Sequence, residues 1–258
     1  MKNLLVAAAA LLPAWSAASA QDSGDTRVRV GLGAQLQPRF IGSDKHSLRP
    51  LFHINTARGD HEFSFSAPDD SPGISILTTD GFSFGPAGNI ESRRRQSDVG
   101  APVGNVATTF EAGAFAQYMI GDSFRIRAEV LKGINGHRGL LGSIGADKIW
   151  RSGDQYLFSI GPRLLLSDAR FQRAYFGVTP AASLASGLPT FRPKGGLYGL
   201  ALASGASYQF STHWGVFGYA RYERLVGDAG RSPIIREFGS RNQLSGGIGL
   251  NYVFTIHP

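Results

Sequence analysis

The feature that most restricts this chain is a two-residue alternation sustained over segments too long for an ordinary soluble strand. Between Gln243 and Phe254, Leu244, Gly246, Ile248, Leu250, Tyr252 and Phe254 fall on one side, and Gln243, Ser245, Gly247, Gly249 and Asn251 on the other. Successive side chains of a strand point to opposite faces, so this segment reads as one long strand with a single apolar face. Phe124, Ile126, Ala128 and Val130 oppose Arg125, Arg127 and Glu129 in the same way, and Tyr156, Phe158, Ile160, Pro162, Leu164 and Leu166 oppose Ser159, Gly161 and Arg163. Phe110 to Ile120 and Val28 to Leu36 repeat the pattern. Soluble sheets use strands of about five or six residues, whereas a membrane barrel needs about nine to eleven per crossing. The segments match the longer class.

Nothing else in the chain competes with this reading. No apolar run reaches the ~18 residues of a membrane helix, and Gly or Pro interrupts most windows in which a 3.6-residue period could build. The 34 Gly residues among 258 would suit a disordered chain, but 17 Phe, 8 Tyr and 3 Trp do not. Alternation places strands at 27–37, 48–56, 61–77, 81–90, 108–120, 123–134, 140–151, 154–166, 173–180, 196–210, 213–224 and 243–254. That makes an all-β, antiparallel transmembrane β-barrel of about 12 strands, an even number as in single-chain bacterial barrels. Pro68, Pro72, Gly73 and Pro86 interrupt the early segments and keep ten strands as an alternative.

Residues 1–20 read as an address. Met1, Lys2 and Asn3 are followed by an apolar run from Leu4 to Leu12, and Ala18-Ser19-Ala20 offers the small residues of a cleavage site. A secretory signal cut after Ala20 leaves a single barrel domain over 21–258. The absence of Cys rules out disulfides and thiolate metal sites. The formal charge of +7 is spread in short clusters without a nucleic-acid motif, so no nucleic-acid partner is expected.

On the inner rows, Arg125, Arg127, Glu129, Arg163, Arg221 and Glu223 are expected to face the lumen. They would form either a lattice of ion pairs filling a narrow interior or a charged pore for small solutes. Aromatic residues near the row ends, among them Phe110, Tyr118, Tyr156, Trp214, Tyr222 and Tyr252, are the expected interface girdles. Arg93, Arg94 and Arg95 form the densest positive run and are candidate partner-binding residues for an acidic protein, murein carboxylates or lipopolysaccharide phosphates. Counting twelve strands back from the C-terminus puts residues 91–107 in the periplasm; an error of one strand puts them outside. The loops 181–195 and 225–242 fall outside the cell on the same count.

Thr109-Phe110-Glu111-Ala112-Gly113-Ala114-Phe115-Ala116-Gln117-Tyr118, Gly133-Ile134-Asn135-Gly136-His137-Arg138-Gly139, Gly161-Pro162-Arg163, Tyr175-Phe176-Gly177-Val178 and the ending Gly247-Ile248-Gly249-Leu250-Asn251-Tyr252-Val253-Phe254 resemble the MipA/OmpV family of MltA-interacting outer-membrane proteins. The resemblance implies an outer-membrane barrel that scaffolds murein-remodelling enzymes, a lytic transglycosylase and a murein synthase, among outer-membrane lipid and lipopolysaccharide. No catalytic residue, metal ligand or cofactor is expected: no His-Glu-x-x-His helix is present. His137, in a Gly-rich connection, is the one candidate base for a lipid-modifying enzyme; its plainer reading is a turn residue tolerating positive φ.

Overall fold

The computed structural model describes residues 25–257, so the expected signal segment at 1–20 lies outside the described residues. Eleven strands form one antiparallel sheet: β1 (Thr26–Pro38), β2 (His46–Arg58), β3 (Leu77–Thr79), β4 (Phe82–Glu91), β5 (Thr109–Ile120), β6 (Phe124–Gly133), β7 (Leu140–Ser152), β8 (Tyr156–Ser167), β9 (Gly196–Gln209), β10 (Trp214–Leu225) and β11 (Asn242–Ile256). Their order is β2-β1-β11-β10-β9-β8-β7-β6-β5-β4-β3. The first and last long strands pair in register from Thr26↔Ile256 to Leu36↔Gly246, which curls the sheet into a barrel. A seam remains between β2 and β3, where no ladder joins the walls.

The wall follows from the alternation. Leu32, Phe52, Ile54, Val130, Ile144, Leu202, Ile248 and Leu250 point outward and are exposed, whereas Arg125, Arg163, Ser159, Glu223 and Asn251 point inward and are buried. An apolar belt around a polar interior is inside-out for water and right for lipid. The girdles are asymmetric. Tyr118, Phe124, Trp150, Tyr156, Phe158, Tyr208, Phe210, Trp214, Tyr252 and Phe254 are exposed around the end that holds both termini, while Phe110 and Tyr222 stand toward the other.

The two ends differ in their connections. At the end near the termini the turns are tight, and Gly81, Gly121 and Gly153 adopt the positive φ they need. The opposite end carries long connections with five short helices, α1 (Gln96–Val99), α2 (Ala169–Phe176), α3 (Pro180–Ser186), α4 (Gly227–Arg231) and α5 (Pro233–Phe238). Asp168 caps α2 by accepting from the Phe171 N–H at 2.8 Å, and Thr179 caps α3, whose first turn begins with Pro180. These loops bury two apolar clusters, one with Phe171, Tyr175, Phe176 and Ile235 and one with Phe40, Val99 and Ile234, so they form a folded cap over the lumen.

Two expected strands are corrected. Residues 173–176 are the end of α2 and 177–179 lead into α3: Phe171, Tyr175 and Phe176 bury one side of a helix on the cap core, and local alternation could not compete with that burial. Removing that strand reverses the parity of everything before it, so residues 92–108 lie at the long-loop end beside 168–195 and 226–241. Residues 61–72 are extended but are not part of the wall. They turn inward at the seam and cross the lumen, and the chain rejoins the wall through the Gly73↔Ala87 bridge to β4.

Candidate functional site

The crossing segment, 61–72, defines the interior. Phe63 and Phe65 are buried inside the barrel, Phe65 against Ile149 of β7 and beneath the Arg125 guanidinium, 4.6 Å from its ring. Pro68 reaches the far wall at β9, where a Cβ on Gly205 would meet its ring at 2.7 Å. Only glycine lets the segment lie that close. Pro68 and Pro72, which argue against a paired strand, suit a segment that makes no ladder.

At mid-lumen Asp69 and Asp70 point in different directions into a lattice of arginines. Asp70 meets Arg125 at 2.5 and 3.0 Å and Arg127 at 3.6 Å, on β6. Asp69 meets Arg163 of β8 at 2.9 and 3.1 Å and Arg221 of β10 at 3.5 Å. Asp147 of β7 joins the two halves, 2.7 Å from both Arg125 and Arg163. Glu129 and Glu223 complete the set, each 2.8 Å from its neighbour on the same strand, Arg127 and Arg221. The six charged residues expected in the lumen are therefore inside it and brought together, and each is ion-paired. Sequence reading missed the three aspartates that connect them. Asp147 was legible as an inward residue of 140–151, two positions from Ile149 on the same face; Asp69 and Asp70 were hidden by the reading of 61–77 as wall.

The arginine run divides. Arg93 and Arg95 are exposed on the cap, but Arg94 is buried beneath it. Its guanidinium donates to the Tyr175 carbonyl at 2.5 Å and to Val103 at 3.3 Å, while its backbone pairs with Val106. Burial pushes its pKa down to about 10, so at neutral pH it remains a cation. It holds the loop to α2 and is not available to a partner, a correction to its place in the candidate binding run.

His137 is equally committed. Its Nε2 lies 2.8 Å from Glu111 Oε1, and its Nδ1 accepts from the Gly139 N–H at 2.9 Å, which assigns the proton to Nε2. The ring is buried and stands edge-on to Phe171 at 5.0 Å. With both nitrogens occupied and Glu111 also bonded by Asn89 at 2.8 Å, the pair fastens the β6–β7 connection to β5 and α2. Among the described residues no cluster of three His, Asp or Glu side chains suits a metal ion.

An apolar belt around an ion-paired interior, with a strongly asymmetric pair of ends, defines an outer-membrane β-barrel. The family described as MltA-interacting protein MipA matches residues 30–254, and the chain belongs to it. No curated protein matches the chain. Among solved structures, the loop-L8 deletion mutant of OmpT, an outer membrane protein of Vibrio cholerae, is 11% identical, with a TM-score of 0.38, and the match covers 90% of this chain and 100% of that one. The COG4313 outer membrane channel of Pseudomonas putida F1 is 9% identical, with a TM-score of 0.41 and coverage of 92% and 97%. Neisserial surface protein A is 13% identical, with a TM-score of 0.25 and coverage of 90% and 97%.

Proposed function

We propose that this barrel is a non-enzymatic scaffold that holds murein-remodelling enzymes at the outer membrane, in keeping with the interaction for which its family is described. The observation that carries the reading is the lumen: four arginines and five carboxylates close on one another around a segment that crosses the barrel, an arrangement suited to a wall with docking faces and not to an open pore. Outer-membrane barrels put short turns in the periplasm and long loops outside. On that rule the murein enzymes meet the short-turn end, where Asp60, Glu62, Asp80 and Asp122 are exposed, and not Arg93 and Arg95. The scaffold reading thus keeps its partners, a lytic transglycosylase and a murein synthase, and moves their docking face.

Column retention tests it. Solubilised barrel should retain a purified murein hydrolase or synthase, and Asp80→Arg with Asp122→Arg should weaken retention while Arg93→Glu with Arg95→Glu leaves it unchanged. The opposite pattern moves docking to the cap; no retention by any form removes the scaffold reading.

A second reading concerns the other face. Arg39, Lys45, Arg93, Arg95, Arg170, Arg173, Arg192 and Lys194 are all exposed on or beside the cap. Arginine forks bind phosphate oxygens well, and such a surface suits the phosphates of lipopolysaccharide. Salt-dependent retention of lipopolysaccharide, reduced by the Arg93→Glu and Arg95→Glu pair, is the expected result.

A further inference from the structure

Among the described residues Arg29 is a buried cation that forms no ion pair of its own, because the nearby Asp154 is engaged by Arg27 and Arg151. At the short-turn end Arg27, Arg29 and Arg151 gather with two carboxylates, Glu62 and Asp154. Asp154 sits 3.0 Å from Arg27 and 3.4 Å from Arg151, and Glu62 sits 2.9 Å from Arg151. Arg29, on the inner face of β1 and only 8% exposed, makes no ion pair or side-chain hydrogen bond with any described residue. Its guanidinium lies over the Phe63 ring, 4.0 Å from the centroid, which covers its flat side, and its Nε is buried without an acceptor. A buried guanidinium left in this state is expensive unless an anion answers it.

Arg29 lines a cavity of about 580 Å³. That is within the range of small-molecule sites. The lining has two characters. Near Arg29 it is polar, with His53, Asn55 and Asn251, whose Oδ1 is also buried without a partner. Beyond, the rings of Phe63, Phe65 and Phe217 alternate with polar groups, among them Ser66, Asp70, Gln117 and Arg127. The Phe217 ring lies over glycine on two strands: a Cβ at Gly31 or at Gly249 would meet it at 2.7 Å. The same cavity includes Leu51 to Asn55 of β2 and residues up to Ser75, so it runs to the seam between β2 and β3. On the outer side of that seam Phe52, Ile54, Ile74 and Ile76 are exposed to the bilayer.

We propose that this cavity binds an amphiphilic monoanion, a carboxylate on an aliphatic chain, taken laterally from the membrane through the seam. The carboxylate pairs with the Arg29 edge, and the chain lies along the three phenylalanine rings toward the apolar lips of the seam. The recognition is charge-assisted at one end and non-directional at the other.

The test uses the full mature barrel in lipid nanodiscs and radiolabelled dodecanoate, with dodecanol and inorganic phosphate as competitors. Dodecanoate should bind saturably, and both competitors at least tenfold more weakly. Arg29→Gln, checked for folding by its heat-modifiable gel mobility, should lower dodecanoate affinity at least tenfold, and Arg29→Lys should recover part of it. A second readout does not depend on altering Arg29: in Phe217→Trp, brominated dodecanoate should quench the added emission saturably. Equal binding by the wild type and a folded Arg29→Gln, phosphate competing as well as dodecanoate, or no saturable quenching in Phe217→Trp would each overturn the proposal.

Discussion

Neutralising the two carboxylates of the crossing segment, Asp69→Asn with Asp70→Asn, should raise conduction through the barrel. Each aspartate holds a bidentate arginine, Asp70 on Arg125 and Asp69 on Arg163, and each reaches a second arginine at 3.5 to 3.6 Å. The arginines do not lose everything: Asp147 still serves Arg125 and Arg163, Glu129 serves Arg127, and Glu223 serves Arg221. The loss therefore falls near that of a charged hydrogen bond, ~1.5–3 kcal/mol per aspartate, and not near the larger cost of stranding a buried ion. Two such losses make ~3–6 kcal/mol, or about a hundredfold to ten-thousandfold in the balance between a docked and a withdrawn segment. The wall strands contribute none of these bonds to one another's ladders, so the barrel itself should persist. Single-channel recording in planar bilayers is the assay. Wild type should be closed or open only briefly; the double variant should show a steady open level at the same protein density. If both forms conduct alike, or both stay closed while the variant remains folded, the segment is not what blocks the lumen.

Other consequences are simpler to check. Replacing Arg94 with Gln removes the Tyr175 carbonyl contact that joins residues 91–107 to α2 and the Val103 contact within the segment, at a cost of ~1.5–3 kcal/mol confined to the cap; limited proteolysis should then cut within 91–107 while the heat-modifiable mobility of the barrel is unchanged. His137→Ala should leave the membrane lipid profile as in wild type and loosen the same cap, because Glu111 and the Gly139 N–H lose their partner; a changed lipid profile would restore the catalytic reading. A single Cys at Gln96, in a chain with no native thiol, should be labelled in intact cells by an impermeant reagent. Protection until the outer membrane is breached would invert the assignment of the two ends.

How much was legible follows from the reach of each signal. Alternation is local, and it located β1, β2 and β4 to β11 to within a few residues, because a lipid-facing row and a lumen-facing row leave no freedom of register. The same signal failed where burial has another source. Phe63, Phe65 and Ala67 alternate because a narrow lumen buries one side of the crossing segment, and no two-residue count separates that from a wall strand. At 173–180 the cap core imposed a helix on the start of a short stretch in which Phe176 and Val178 stand at strand-like spacing. The lumen charges were readable as a row, but their partners depend on which segment crosses the barrel, a fact of tertiary structure. Arg93, Arg94 and Arg95 show the same limit: a run of three like residues gives no hint that the middle one turns inward.

The pairing of β1 with β11 also sets a timetable. Thr26 opposes Ile256, so the contact that curls the sheet joins nearly the two ends of the described chain. Hairpins such as β5–β6 and β7–β8 need only a few residues to turn, whereas this junction must close the largest loop the chain can offer, and loop closure grows costlier with length. Until it forms, β1 and β11 are bare edges in a sheet with an apolar face, the state most open to wrong partners. Biogenesis is therefore governed by how long those two edges are shielded, and a substitution that slows their meeting would lower the yield of barrel without altering a finished molecule.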